Sequence, residues 1–173
     1  MSIVSTTKVS AIANTKGGPG KSTTVTNLAG VGVQRKKRVL VCDFDPQGTA
    51  TLLSGITDRR DINLDDFGTH RIIEEEILPS KLILPTEHGY DIIPATGLLY
   101  RTDTYIKEKP LGDAILHRMF HKDKALEEYD LILCDTQGAP SALLASVINM
   151  TSDFIVPNIA SEDSTKALDL LLG

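Results

Sequence analysis

The sequence predicts an α/β fold, a doubly wound and mostly parallel sheet with helices on both faces. Three apolar runs have the length of strands, and they are residues 39–42, 131–134 and 154–157. Runs that are apolar throughout are typical of strands covered on both faces. Segments with helical spacing separate these runs, and such alternation of strands and helices produces a parallel sheet. Because ligands of these sheets bind beyond the carboxyl ends of the strands, we expect the functional residues there.

The other elements follow from turn residues and from the spacing of apolar side chains. Residues 8–13 form a β-prone run that stops at a glycine-rich turn, and apolar residues recur at helical spacing over 21–34. Further along the chain we predict a helical patch at 71–78 and short strands at 82–84 and 90–93 around a turn at 86–89. Residues 97–128 are predicted to be mostly helical, with a break at Pro110. A helix is predicted at 141–150 and another from Glu162.

Length and composition predict a single soluble domain over residues 1–173, with 41% hydrophobic and 24% charged residues. The net charge of -5 gives no support to a surface built to coat nucleic acid. No apolar stretch approaches the roughly 20 residues of a membrane span, and no signal peptide opens the chain, so we expect a cytoplasmic protein. The apolar stretch at 168–172 has no strand after it to pack on, from which we expect a domain that is incomplete at its C-terminus.

Three groups of reactive or charged side chains have plain structural interpretations. Cys42 and Cys134 lie inside apolar runs, which predicts buried thiols. His117 and His121 are one helical turn apart without a third ligand near in sequence, so we interpret them as surface histidines rather than a metal site. The basic run at 35–38 suits the carboxyl end of a helix, with a DNA contact as the less favoured alternative.

A glycine-rich turn at 16–22 has the residues of a phosphate-binding loop. Its glycines let the backbone wrap phosphate oxygens where a helix begins, and they are Gly17, Gly18 and Gly20. Lys21 supplies a charge for the β and γ phosphates, the Ser22 hydroxyl can bind Mg²⁺, and Thr23 adds a further N–H group. The loop therefore predicts a nucleoside triphosphate bound with Mg²⁺.

The loop departs from the general G-x-x-x-x-G-K-[ST] pattern at its beginning. Thr15 replaces the first glycine, and a second lysine, Lys16, follows directly. Pro19 has no N–H group to donate, so we predict that the backbone at position 19 faces away from the phosphates.

Three aspartates follow apolar strands, and they are Asp43, Asp45 and Asp135. Their convergence near a triphosphate predicts a Mg²⁺ shell and a group that orients the attacking water. An alternative remains for Asp43 and Asp135, which could simply cap the helices that follow them.

The loop and the aspartates together resemble a known family. Residues 16–23 resemble the deviant P-loop, KGGxGK[ST]T, of ParA/MinD-type ATPases. Residues 43–48, with Thr51 just beyond, are similar to the DxDPQGxxT motif of ParA partition proteins. The strand that ends at Asp135 resembles the third motif of the family, although residues 136–140 lack the two prolines that often follow it. The resemblance extends from about residue 7 to the end of the chain.

The resemblance implies an ATPase with assigned residues. Lys16 would reach the phosphates of the partner subunit in an ATP-sandwiched dimer, and Lys21 would serve its own nucleotide. Ser22 would bind Mg²⁺, with Asp43 and Asp135 holding metal-bound waters. Asp45 would orient the hydrolytic water.

The resemblance also implies partners. Such proteins are slow ATPases whose ATP-bound homodimer binds DNA nonspecifically in the prokaryotic nucleoid, and a centromere-binding ParB-like protein stimulates hydrolysis. Plasmid or chromosome partition is then the expected task, through the short type of protein that lacks an N-terminal helix-turn-helix. The alternatives are a MinD-like membrane-associated switch, a metabolic or redox relative, and an inactive fragment. No membrane partner is expected, because residues 168–172 are too short and lack basic residues for an amphipathic membrane helix.

Overall fold

A computed structural model of the chain describes residues 7–15, 18, 20–57 and 63–158. Six strands form one sheet in the order β3-β4-β2-β5-β1-β6. The strands are β1 (Lys8–Ile12), β2 (Val39–Phe44), β3 (Leu84–Pro85), β4 (Asp91–Ile93), β5 (Leu131–Thr136) and β6 (Asp153–Ile155). All neighbouring strands pair in parallel except β3, which is antiparallel to β4.

Helices cover both faces of this sheet, as the sequence predicts. They are α1 (Lys21–Gln34), α2 (Thr49–Leu53), α3 (His70–Glu74), α4 (Thr102–Glu108), α5 (Ile115–Lys122) and α6 (Ala142–Met150), with short 3₁₀ turns between several of them. Among the described residues, none of these helices has the length and apolar character needed to cross a membrane.

Alternation along the central strands divides the core into two clusters. Leu40 and Cys42 of β2 pack with Cys134 of β5 against the helices α3 to α6. Val41 and Leu133 point to the opposite face, where they pack against α1. Cys42 and Cys134 are free thiols in this buried core, which confirms the prediction for them.

Several predicted elements have different bounds in the structure. The third apolar run, predicted as a covered strand at 154–157, forms β6 at Asp153–Ile155, where Phe154 and Ile155 are exposed. The strand predicted at 82–84 is confined to β3, because the 3₁₀ turn at Pro79–Lys81 runs up to Leu82, whose N–H donates to the Pro79 carbonyl at 3.0 Å. The helical patch predicted at 71–78 ends at Glu74, since Glu76 adopts the left-handed conformation with φ 53°. The helix predicted from Glu162 and the apolar stretch at 168–172 lie outside the described residues.

The carboxyl ends of β1, β2 and β5 meet in the middle of the sheet. β5 lies between β1 and β2, and Asp135 is the register partner of both Ile12 and Asp43. The Thr136 hydroxyl donates to the Ile12 carbonyl at 2.8 Å, which joins the ends of β5 and β1. This edge is where α/β sheets bind ligands.

Candidate functional site

The phosphate-binding loop joins the end of β1 to α1, whose first residue is Lys21. Gly20 precedes the helix in the left-handed conformation, with φ 83° and ψ 28°, and Gly18 has the same φ. L-residues rarely adopt this conformation, so glycine is required for the turn. Lys16, Gly17 and Pro19 lie outside the described residues, and the prediction for the backbone at position 19 therefore stays a prediction.

Gly20, which occupies the N-cap position of α1, has no side chain that could cap the helix. The Thr24 N–H donates to the Gly20 carbonyl at 2.8 Å and closes the first turn. The N–H groups of Lys21, Ser22 and Thr23 precede it, and the opening N–H groups of an α-helix have no acceptor within the helix. With the positive end of the helix dipole they make a binding place for an anion.

Asp43 and Asp135 are fully buried side by side on the α1 face of the sheet. They are register partners on β2 and β5, and both have 0% relative exposure. The sequence predicted each aspartate at the end of its strand, and in the structure each lies one residue before the last residue of that strand. Side-chain alternation directs both carboxylates to the side on which Val41, Leu133 and α1 lie.

The carboxylate of Asp43 is occupied by hydrogen bonds from the protein. Its Oδ2 accepts from the Thr51 N–H at 2.8 Å and from the Thr51 hydroxyl at 2.7 Å, while Oδ1 accepts from the Asp45 N–H at 3.0 Å. Thr51 is in the first turn of α2, so Asp43 performs the helix-capping role that the sequence left open. Burial raises the pKa of Asp43 to about 6, although the bonds from Thr51 and Asp45 oppose the rise.

Asp135 differs from its register partner. Its Oδ1 accepts from the Thr136 N–H at 3.1 Å, and its buried Oδ2 has no hydrogen-bond partner among the described residues. Burial, followed by the charge of Asp43, raises the pKa of Asp135 to about 7 against the opposing effects of the nearby Ser22 hydroxyl and Lys21 ammonium. Asp135 does not cap the next helix, because Ser141 takes that position in α6.

Asp45 begins the loop between β2 and α2 and is partly exposed. Its Oδ1 accepts from the Gln47 N–H at 2.9 Å, and its carbonyl accepts from the Gly48 N–H at 2.8 Å. These bonds turn the chain sharply after β2 and place the carboxylate at the edge of the cleft.

A cleft of about 540 Å³ opens above this edge of the sheet. Of the predicted site residues, its walls include Gly18, Gly20, Lys21, Ser22, Thr23 and Asp45. Sequence reasoning assigned no role to several other lining residues, among them Thr49, Tyr100, Gln137 and Gly138. Tyr100 belongs to no phosphate-binding pattern, so only the spatial neighbourhood identifies it.

The residues present fit a nucleotide with Mg²⁺. The described residues contain no group of three His, Cys, Asp or Glu side chains that could hold a metal ion by itself. Mg²⁺ in nucleotide sites usually keeps several waters and takes oxygens from phosphates and only one or two side chains. The Ser22 hydroxyl and the nearby Asp135 carboxylate, whose buried Oδ2 has no hydrogen-bond partner among the described residues, supply such oxygens.

His117 and His121 lie away from this cleft. Both are exposed on α5, and their rings stack with centroids 6.1 Å apart. They line a separate hollow of about 300 Å³ beside Val9 and Ile132, near the amino ends of β1 and β5.

The basic run at 35–38 is partly neutralised. Lys37 pairs with Asp130 at 3.0 Å, and Arg38 pairs with Glu128 at 2.8 Å. These contacts favour the interpretation of the run as a solvated helix end.

Comparison with known proteins agrees with this geometry. The sequence profile of the AAA domain family matches residues 7–172. The chromosome-partitioning ATPase Soj of Thermus thermophilus is 34% identical over 149 residues, which cover 85% of this chain and 53% of that protein. The chain spans little more than half the length of such relatives.

Solved structures share the fold. A plasmid partition protein from Borrelia burgdorferi superposes with a TM-score of 0.83 and 26% identity, covering 95% of this chain and 70% of that one. Cobyrinic acid a,c-diamide synthase from Mycobacterium smegmatis, solved with bound ADP and magnesium, has a TM-score of 0.84 and 25% identity, covering 96% and 65%. This chain therefore belongs to the AAA domain family, and within it to the P-loop proteins of the ParA/MinD type.

Proposed function

We propose that this chain is the nucleotide-binding domain of a Mg²⁺-ATP-dependent switch that dimerises when ATP is bound and acts in plasmid or chromosome segregation. The observation that carries the proposal is that Lys21 and Ser22 line the cleft and are also near enough to Asp135 to oppose the rise of its pKa, while a buried Asp135 oxygen has no hydrogen-bond partner among the described residues. Such an arrangement suits a phosphate chain with its metal ion. The identity with Soj supports segregation as the task.

The roles of the site residues follow from this proposal. The phosphates lie on the loop formed by Lys16, Gly17, Gly18, Gly20, Lys21, Ser22 and Thr23. Ser22 would hold the metal ion, and Asp135 would accept hydrogen bonds from metal-bound waters. When bound, Mg²⁺ neutralises charge that develops on the phosphates. Asp43 was predicted in the same shell, but its hydrogen bonds from Thr51 and Asp45 favour a structural role beside Asp135.

Asp45 orients the water that attacks the γ-phosphate. Its Oδ1 is held by the Gln47 N–H, which restricts the rotation of the carboxylate. Lys21 and Lys16 stabilise the charge that forms during transfer, Lys21 on its own nucleotide and Lys16 across the dimer. As the water oxygen bonds to the γ-phosphorus, the bond from that phosphorus to the β,γ-bridging oxygen breaks and ADP leaves. The water gives its proton to Asp45 or to a phosphate oxygen.

The proposed partners are a second copy of the chain, nonspecific DNA and a ParB-like protein. DNA binding belongs to the whole protein rather than to this acidic chain, whose net charge is -5. We place the protein in the cytoplasm at the nucleoid.

A metabolic ATPase is the second candidate. It is supported by the similarity to cobyrinic acid a,c-diamide synthase, which has the same fold at a TM-score of 0.84. A synthetase needs a second substrate beside the nucleotide, whereas a segregation switch needs a second subunit. The two candidates therefore differ in what ATP does to the oligomeric state.

Light scattering with and without Mg²⁺-ATP tests this difference. We expect ATP to convert monomer to dimer and Lys16→Ala to abolish the dimer while leaving the monomer folded. Lys37→Ala is the matched control, because Lys37 lies in the surface pair with Asp130. A monomer that persists in saturating ATP would favour the metabolic candidate.

The DNA role needs a separate measurement. Gel shifts of the full-length protein on random-sequence DNA should show binding with ATP and little without it. Binding that ignores ATP, or no binding at any nucleotide state, would remove segregation from the proposal.

A further inference from the structure

We propose that Tyr100 and Asp103 are positioning residues that hold the two loops at the phosphate end of the cleft. This inference rests on the proposed ATPase function. The loops are residues 45–48, here called the first cleft loop, and residues 137–141, the second cleft loop. Both line the cleft, and neither Tyr100 nor Asp103 belongs to a phosphate-binding motif.

Tyr100 holds the first cleft loop through a direct contact with Gln47. Its side chain is on the surface, with a relative exposure of 63%, and its phenol oxygen accepts a hydrogen bond from the Gln47 side-chain amide. The Gln47 backbone N–H donates at 2.9 Å to Oδ1 of Asp45. Gln47 is therefore held at its side chain by Tyr100 and at its backbone by Asp45. The position of the phenol consequently influences the direction of the Asp45 carboxylate.

Asp103 holds the end of the second cleft loop. Its Oδ1 accepts from the Ala142 N–H at 2.6 Å and from the Leu143 N–H at 3.2 Å. These groups open α6 and have no acceptor within that helix, so the contact ties the point at which the loop becomes helix to α4. The second oxygen of Asp103 pairs with Lys107 at 2.5 Å. Although partial burial opposes it, this ion pair and the two N–H groups lower the pKa of Asp103, which keeps the acceptor ionised at neutral pH.

One short segment makes both contacts. Tyr100 is the residue before the last in the 3₁₀ turn at Gly97–Arg101, and Asp103 is in the first turn of α4, three residues later. The segment is held in the protein interior, because Leu99 and Thr102 are buried. Within the segment, the Thr102 hydroxyl donates to the Leu99 carbonyl at 2.8 Å. A fixed element that touches both loops sets their spacing across the cleft. Small errors in such spacing reduce the rate of reaction more than they reduce binding.

Two conservative variants of the full chain test the Tyr100 contact. Tyr100→Phe removes only the hydroxyl, and Tyr105→Phe is the matched control, since the Tyr105 hydroxyl donates to the Glu74 carbonyl at 2.9 Å on the same segment. For Tyr100→Phe we expect kcat for Mg²⁺-ATP to fall about three- to tenfold with KM within about twofold, the loss of one hydrogen bond being of that order. Amide exchange in residues 44–49 of the nucleotide-free protein should become faster by a similar factor. Tyr105→Phe should change neither quantity.

The Asp103 contact is tested with a graded series. Asp103→Ala removes the acceptor for α6 and should lower kcat and speed amide exchange in residues 137–143. Asp103→Asn keeps an oxygen acceptor, so its kcat and its amide exchange in residues 137–143 should be close to those of the wild type. Lys107→Ala breaks the ion pair without removing the acceptor, and it should behave as Asp103→Asn does.

The possible failures are distinguishable. If the wild type neither binds nor hydrolyses ATP, the proposed function fails and this inference fails with it. If the wild type is active but Tyr100→Phe and Asp103→Ala leave kcat and amide exchange unchanged, the positioning roles are wrong while the proposed function stands. A fall in kcat that Tyr105→Phe reproduces, or that Asp103→Asn does not rescue, would also overturn them.

Discussion

Asp43 and Asp135 are register partners on adjacent parallel strands, yet their carboxylates have opposite hydrogen-bonding states. Asp43 accepts three hydrogen bonds from Thr51 and Asp45, whereas Oδ2 of Asp135 is buried without a partner among the described residues. Unpaired buried oxygens are rare because they lose their water without compensation. The contrast separates a carboxylate that builds the site from one that is kept available for a ligand.

The availability of Asp135 predicts a pH-dependent stability of the nucleotide-free protein. The pKa of Asp135 rises from 3.8 to about 7 on folding, so the folded state binds more protons between these values. The contribution of Asp135 to the free energy of unfolding is therefore fully present below pH 4 and is lost as the pH rises to 7. Asp135→Asn should raise the free energy of unfolding by about 1–3 kcal/mol at pH 8 and by much less at pH 5.

Urea unfolding of wild type and variant at both pH values measures this effect. Asp113→Asn is the control, because Asp113 is exposed. Equal stability changes for Asp135→Asn at pH 5 and pH 8 would contradict the account. Asp135→Asn should also weaken Mg²⁺-dependent ATP binding, because a substitution that stabilises such a site commonly impairs its function.

Thr51 is buried and connects Asp43 to the backbone of Ala95 through hydrogen bonds. Its hydroxyl donates to Asp43 at 2.7 Å and accepts from the Ala95 N–H at 2.9 Å. Thr51→Val keeps the shape but leaves the Ala95 N–H without its acceptor and removes one of the two hydrogen bonds to Oδ2 of Asp43, so it should destabilise the protein by about 1–3 kcal/mol. Thr49→Val, at an exposed position of the same helix, should change stability by less than about 0.5 kcal/mol. Similar midpoints for the two variants in urea would argue against the network.

Two glycines of the same region should respond in opposite directions to alanine. Gly20 has φ 83°, so Gly20→Ala should cost about 1–2 kcal/mol through backbone strain, although no atom lies within 4 Å of the added Cβ. Gly30 is inside α1 with equally open space and no left-handed φ, so Gly30→Ala should stabilise by about 0.5–1 kcal/mol. Thermal unfolding of both variants checks the sign. A stabilising Gly20→Ala would contradict the left-handed turn before Lys21.

The sequence was sufficient for the elements that make the site. Apolar runs predict β2 and β5, and the glycine-rich turn predicts the start of α1, because these signals are local. The end of α3 is set by the left-handed conformation of Glu76, a residue type that gives no such signal. Local patterns therefore predict which elements exist better than where they stop.

The hydrogen bonds of the site could not be predicted from the sequence. Asp43 and Asp135 follow similar apolar runs, and only the fold places Thr51 beside one of them and not the other. Tyr100 contacts Gln47 across 53 residues of chain, so no motif connects the two. Nonlocal contacts of this kind depend on the packing of α2 and α4 around the strand ends.

The cleft lined by Lys21 is the proposed binding site for ATP with Mg²⁺, and isothermal titration calorimetry with a slowly hydrolysed ATP analogue measures this binding. We predict binding that strengthens with Mg²⁺ and that weakens at least about tenfold in Lys21→Ala, the loss of one charge-assisted contact being worth about 1.5–3 kcal/mol. Lys37→Ala, on the surface pair with Asp130, should bind as the wild type does. Absence of binding by the wild type, or equal affinity in Lys21→Ala, would contradict the account.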